Sequence, residues 1–340
     1  MLIREKAEVK FEIIREMTAR DNNLLNISLL CKIAYVSRSG YYRWLGAEDV
    51  RKAREGQDEQ DFGLMLEAYR FRGYEKGARG IYMRLLHQIP PIVMNIKKIR
   101  RLMHKYGLMC PIRKANPYRR MAKALKTSNV APNLLNREFR EHGPRMVLLT
   151  DITYIHFGAG VRCYMSTILD AFTKQLLAYV VSESLEVDFV LETVEILIQE
   201  HGISLQAETL INSDQGCHYT SYRFIQIIRD ANLRQSMSRR ANCWDNAPQE
   251  SFYGHMKDEI DLAHCQTFGE VKVVIADWTD YYNNDRYQWQ LAKLSPNEFY
   301  EYVHSGIHPL DGLHGRTIEP GSGKTMEPSS GGSAPCTPEV

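Results

Sequence analysis

Apolar residues recur at helical spacing over roughly the first third of the chain, then give way to strand-like runs near Arg145. Residues 10–20 predict an amphipathic helix on Phe11, Ile13, Ile14 and Met17, ended by Asp21-Asn22-Asn23. Residues 27–36 read as a second helix and 38–45 as a third, capped by Ser37 and stopped by Gly46. Two short helices about a tight turn predict a helix-turn-helix that presents Arg38, Ser39, Tyr42 and Arg43. A small helical bundle with no DNA role fits that spacing equally well. Residues 51–61 are charged and read as a helix or a linker, and 63–69 and 78–87 as helices. After the break at Pro90-Pro91, residues 95–106 predict a helix with Ile96, Ile99 and Met103 on one face. Lys97, Lys98, Arg100, Arg101 and Lys105 occupy the rest, a pattern suited to lying along a phosphate backbone. Residues 111–136 read as a basic extended linker.

Beyond Arg145, residues 146–157, 162–172 and 176–182 read as three strands, the first two joined at Gly158-Ala159-Gly160. A helix over 187–201, a strand over 208–213, a helix over 221–232 and a strand over 235–238 follow. Residues 246–260 and 271–282 read as two further helices. Three antiparallel strands followed by alternating helix and strand predict an α/β layer fold, in the order of the ribonuclease H type. The expected division is a helix-turn-helix region over 1–60, a basic helical DNA-binding region over 61–110, a linker over 111–144 and an α/β catalytic core over 145–304. The segment 305–340 is rich in Gly and Pro and reads as a disordered tail.

Composition changes the picture in one place. The net charge of +2 over 340 residues hides a block from Tyr69 to Gly143 with 18 Lys or Arg against 3 Asp or Glu. Such a block favours a polyanion, with nucleic acid first. The seven cysteines are scattered without a C-x-x-C pair, which argues against a disulfide framework or a structural zinc site and for a reducing cytoplasm. The first residues carry no signal-peptide core, and no apolar run is long enough to span a bilayer.

The chemistry concentrates in three acids. Asp151 lies inside the first strand, Asp214 ends the fourth, and Glu250 rides a helix; 62 residues separate the first two and 35 the last two. An aspartate within an apolar strand is costly to bury unless paired or metal-bound, and strand ends are where open α/β sheets place their sites. Hard carboxylate oxygens suit Mg²⁺, and a pair of such ions can clamp the attacking and leaving oxygens at phosphorus. Lys257, two turns after Glu250, would bring an ammonium to DNA phosphate. Asp170 is the strongest rival carboxylate, with Glu183, Asp188, Asp245 and Glu259 behind it; Asp245 reads better as a helix cap. His218 suits either a DNA contact or plain packing.

These runs resemble a known family. Thr150-Asp151-Ile152-Thr153-Tyr154-Ile155, the stretch Asn212-Ser213-Asp214-Gln215-Gly216-Cys217-His218-Tyr219-Thr220-Ser221, and Gln235-Ser236-Met237-Ser238-Arg239-Arg240-Ala241-Asn242-Cys243-Trp244-Asp245-Asn246-Ala247-Pro248-Gln249-Glu250-Ser251-Phe252 resemble the three acidic motifs of DDE transposases. The match is to the IS-three insertion-sequence family, in its second-reading-frame product OrfB, over roughly residues 27–303. The resemblance implies a retroviral-integrase-like core and two Mg²⁺ (or Mn²⁺) ions held by Asp151, Asp214 and Glu250. It implies cleavage at the element's 3′ ends and strand transfer by the freed hydroxyl into target DNA, in a homo-oligomeric synaptic complex associated with the bacterial nucleoid. A first-frame segment with its own helix-turn-helix and leucine zipper is expected as a partner or fusion. Where the family carries Lys-Gly in the third motif, this chain has Arg240-Ala241. The alternatives are an inactive DNA-binding regulator derived from a transposase, and a ribonuclease-H-like nuclease that does not join ends.

Overall fold

The computed structural model describes residues 6–20, 24–110, 142–238 and 247–312. The expectations for the 111–136 linker, for Asp245 as a cap, for Arg240-Ala241 and for the tail beyond 312 lie outside the described residues.

Two helical groups precede the sheet. In the first, α1 (Ala7–Thr18), α2 (Ile27–Ile33) and α3 (Arg38–Gly46) enclose Phe11, Ile14, Leu30, Cys31 and Tyr41. Asn26 caps α2 by accepting from the Leu29 N–H at 2.9 Å, and Ser37 caps α3 by accepting from Gly40 at 3.0 Å. Between these helices Tyr35 takes a left-handed φ of 54°. Gly46 does not stop α3 but forms its last residue.

The second group extends the sequence reading. The charged stretch 51–61 is helical, the first of its two expected states, and belongs to one helix, α4 (Glu48–Arg70), which also takes in 63–69 and crosses position 60. With α5 (Ala78–Leu86) and α6 (Ile96–Lys105) it buries Met65, Tyr69, Ile81, Leu85, Ile99 and Leu102. The charges persist because α6 answers them: Arg101 grips both oxygens of Asp58 at 2.6 and 2.7 Å, Lys105 joins at 3.0 Å, and Lys98 pairs with Asp61. Arg101 first, and then Lys105, hold the Asp58 carboxyl far below the usual carboxylate range.

The core is a five-stranded sheet of β1 (Val147–Phe157), β2 (Val161–Asp170), β3 (Leu176–Ser182), β4 (Leu210–Ser213) and β5 (Arg234–Met237). Its order is β3-β2-β1-β4-β5; β1, β2 and β3 are antiparallel, and β4 and β5 run parallel to β1. This is the ribonuclease-H-type arrangement. Alternation along β1 assigns its faces. Leu148 joins a core with α7 (Asp188–His201) and α8 (Tyr222–Asp230). Ile155 and Phe157 pack under α9 (Ala247–Glu259) and α10 (Phe268–Asn284), with Phe252, Met256, Ile275 and Trp278.

A final helix, α11 (Pro296–Ser305), was missed by periodicity although Ser295-Pro296-Asn297-Glu298 spells its start. Ser295 and Glu298 form a capping box with Pro296 in the first turn. The helical region docks on the core through Arg72. Its guanidinium reaches Asp277 and Asp280 at 2.8 Å and Asp285 at 3.1 Å, while the Tyr74 hydroxyl donates to Asp277 at 2.6 Å.

Candidate active site

Strand register brings the first two acids together. Leu149 on β1 pairs with Asn212 on the parallel strand β4. Asp151 lies two residues further along β1 and Asp214 one residue beyond the end of β4, and the two are close enough for the Asp214 charge to act on Asp151. Asp214 follows the end of β4 and is exposed, and its Oδ1 accepts the Gly216 N–H at 2.8 Å. That turn needs a small residue: a Cβ on Gly216 would lie 2.9 Å from Asp214 Oδ1.

The third acid arrives on α9, whose buried face is Gln249, Phe252, Tyr253 and Met256. Two of these pin the helix over Asp151. The Tyr253 hydroxyl donates to the Asp151 carbonyl at 2.6 Å and lies 2.6 Å from the Thr167 hydroxyl. Gln249 donates to Thr167, which sits directly opposite Asp151 on β2. Glu250 and Lys257, spaced by two turns, therefore share the outer stripe beside the sheet end.

The charges of these groups meet at Asp151. Burial is the main cause that pushes its carboxyl up, to about 7, and the negative charges of Asp214 and Glu250 add to it; the Ile152 N–H and the Lys257 ammonium work the other way. Burial raises the Tyr219 hydroxyl well above its usual range, with Asp151 and Asp214 contributing. Tyr219 is buried and accepts from the Thr150 hydroxyl at a long 3.4 Å. Among the described residues no three His, Cys, Asp or Glu side chains are close enough to form a ready metal cage. The donor chemistry still fits a hard divalent ion: the three acids are carboxylates, their repulsion calls for a cation, and Mg²⁺ commonly takes one or two carboxylates plus substrate phosphates.

The burial of Asp151, reinforced by its acidic neighbours, has a measurable consequence. A folded-state value near 7 against the usual 3.8 means the unfolded chain releases this proton first. Asp151 therefore contributes no penalty below pH 4, costs stability progressively as pH rises towards 7, and costs a few kcal/mol above it. The melting temperature of the metal-free protein is expected to fall from pH 4 to 7 more steeply in wild type than in Asp151→Asn. Mg²⁺ is expected to restore it at pH 8 in wild type alone. Equal slopes in the two proteins would defeat this account.

The other sequence-predicted residues separate. Asp170 is fully buried and belongs to the fold: it accepts from the Arg145 N–H at 3.0 Å, the Arg145 guanidinium at 2.9 Å and the Phe172 N–H at 2.8 Å. Glu259 likewise is held by Arg286 at 2.8 Å and by the Trp278 indole at 3.0 Å. Asp188 pairs with Arg223. His218 packs, with Nε2 on the Leu185 carbonyl at 2.8 Å. Arg38 and Arg43 stand exposed on α3, as do Lys97 and Arg100 on α6, whereas Lys98 and Arg101 are committed to Asp61 and Asp58. Sequence reasoning missed Gln249, Thr167 and Tyr253 as positioning groups; the i, i+4 spacing of Gln249 and Tyr253 was the available signal.

Comparison with known proteins gives matches to the integrase core domain over residues 141–243 and, with a second such family, over 231–296. An HTH-like domain matches residues 56–116, which places it on α4–α6 rather than on the α2–α3 pair. An uncharacterized transposase-like protein of Haemophilus influenzae is 32% identical over 209 residues, covering 60% of this chain and 92% of that protein. The transposase for insertion sequence element IS904 of Lactococcus lactis is 32% identical, covering 62% and 82%. The transposase InsF for insertion sequence IS3A of Escherichia coli is 24% identical, covering 81% and 93%. Among solved structures, the magnesium complex of the HTLV-2 integrase catalytic core domain is similar at a TM-score of 0.36 and 14% identity, covering 46% of this chain and 97% of that one.

Proposed function

The chain belongs to the insertion-sequence transposases that carry an integrase core domain, the group that includes the transposase of the IS-three elements, and on that premise we propose that Asp151, Asp214 and Glu250 are its catalytic carboxylates. The observation that supports this reading is the parallel pairing of β1, which bears Asp151, with β4, which leads directly into Asp214, beneath a helix pinned to the Asp151 carbonyl.

Two Mg²⁺ or Mn²⁺ ions bound to these carboxylates would activate the attacking hydroxyl and stabilise the leaving oxygen in an in-line displacement. The protein's own groups do the rest. The Gly216 N–H orients Asp214, and Tyr253 fixes the strand at Asp151. Lys257, close enough for its charge to act on Asp151, offers a point charge to a DNA phosphate bordering the site. Exposed Arg38 and Arg43 on α3 and Lys97 and Arg100 on α6 supply phosphate contacts outside the site. The DNA would be the ends of the element itself and then its target. Assembly on two ends calls for more than one copy of the chain, and a first-frame segment would add end recognition. Among the described residues no helix is long and apolar enough to cross a membrane.

Product analysis tests the reaction. With Mg²⁺ and end-containing DNA, joined ends or circles are expected. Shortened fragments alone would assign the site to a hydrolytic nuclease, and uncut DNA bound with the same affinity would assign the chain to a regulator.

A further inference from the structure

The flank of α9 away from Glu250 borders a second feature. A cleft of about 400 Å³ opens between α5 and the loop leading to α11, and its lining includes Lys76, Arg79, His255, Tyr281, Arg286 and Trp289. Of the acids around it, Glu259 is neutralised by Arg286 at 2.8 Å and Asp285 by Arg72 at 3.1 Å and Arg84 at 3.2 Å; Glu75 stands exposed at the rim.

Trp289 is 45% exposed, unusual for the largest side chain in a loop. Two cations flank its ring: the Arg79 guanidinium at 5.3 Å and the Lys293 ammonium at 5.6 Å from the centroid. Both distances are near the outer limit of a cation–π contact, so either cation can swing to an anion while staying beside the ring. The backbone is shaped to keep Lys293 there. Ala292 and Lys293 take successive left-handed φ values of 53° and 69°, a conformation that non-glycine residues adopt at a cost and that persists where the surroundings impose it. The Lys293 N–H is tied to the Gln288 carbonyl at 3.1 Å, and Gln288 to Leu294 at 2.9 Å.

An exposed indole with two cations beside its ring is the chemistry that holds a nucleic-acid strand: the ring stacks a base and the cations meet its flanking phosphates. Bases within a duplex are already stacked on one another, so the ring selects unpaired ones. We propose that this cleft binds unpaired nucleotides at a DNA end, with Trp289 as the stacking platform and Arg79 and Lys293 on the backbone. The identity of the polymer rests on the transposase reading; the position of the contact does not depend on the three acids. His255 and Glu250 share α9, so one helix borders both the cutting site and this cleft.

The test compares a labelled DNA hairpin carrying a single-stranded thymidine tail with the same hairpin blunt, bound to the full chain. Wild type is expected to prefer the tailed DNA by about tenfold. Trp289→Leu is expected to lose that preference at unchanged affinity for the blunt hairpin, and Trp289→Phe to keep most of it. Arg79→Gln with Lys293→Gln is expected to flatten the salt dependence for tailed DNA by roughly 0.7 per cation removed. Absence of a preference in wild type, or its survival in Trp289→Leu, overturns the proposal. So does an equal loss for both DNAs with a lowered melting temperature, which would make Trp289 a packing residue of the cleft wall. Mg²⁺-dependent cleavage of blunt ends, and its loss in Asp214→Asn, reports on the three acids separately.

Discussion

Asp214→Asn is expected to abolish Mg²⁺-dependent strand cleavage, by about a thousandfold or more, while the protein stays folded. The substitution removes a charge and little else. The asparagine oxygen can still accept the Gly216 N–H that shapes the turn after β4, so the loop keeps its form. What is lost is a hard anionic oxygen beside Asp151. Stabilisation of charge at a reacting phosphorus by a bound cation is worth several kcal/mol, and about 4 kcal/mol in the barrier is already ~1,000-fold in rate. Glu250→Gln is expected to behave alike. Strand-cleavage rates on end-containing DNA, with melting curves for each variant, check this. Cleavage at the wild-type rate in Asp214→Asn would remove the carboxylate from the reaction.

Asp170→Ala is expected to show the opposite profile. The residue is completely enclosed, and its oxygens take up the Arg145 guanidinium and backbone N–H groups from Arg145, Phe172 and Thr173. Its removal strands a guanidinium that is itself only 6% exposed. Breaking a buried ion pair from one side costs about 3–5 kcal/mol, a large part of the stability of an ordinary domain. The expected result is a large drop in the denaturant midpoint, with cleavage per folded molecule preserved at low temperature. A stable Asp170→Ala protein without cleavage activity would instead make Asp170 the missing ligand and displace one of the three acids.

The contrast between these two aspartates marks where sequence reading stops. Both sit in apolar strands, and spacing leaves Asp170 a credible rival of Asp151. Only the fold reveals that Arg145, 25 positions earlier, lies against Asp170. The same holds for charge. Lys98, Arg101 and Lys105 read along the chain as a cationic face, because a one-dimensional pattern does not show that Glu55, Asp58 and Asp61 lie opposite. The stretch 51–61 was ambiguous for that reason too, since its acids gain their helical packing role from α6 alone. The capping box at Ser295 and Glu298 was legible, and periodicity passed over it.

The sequence by itself determined the order of strands and helices through the sheet, since alternation and helical period are local properties of the side chains. It also singled out the three acids proposed for the site, whose surrounding runs carry their own signature. Tertiary structure decided which charges are internal and which face solvent, how Tyr253 and Gln249 seat the helix that bears Glu250, and where Trp289 lies relative to Arg79. Those relations join residues far apart along the chain, and their energies depend on distance and burial that only folding sets.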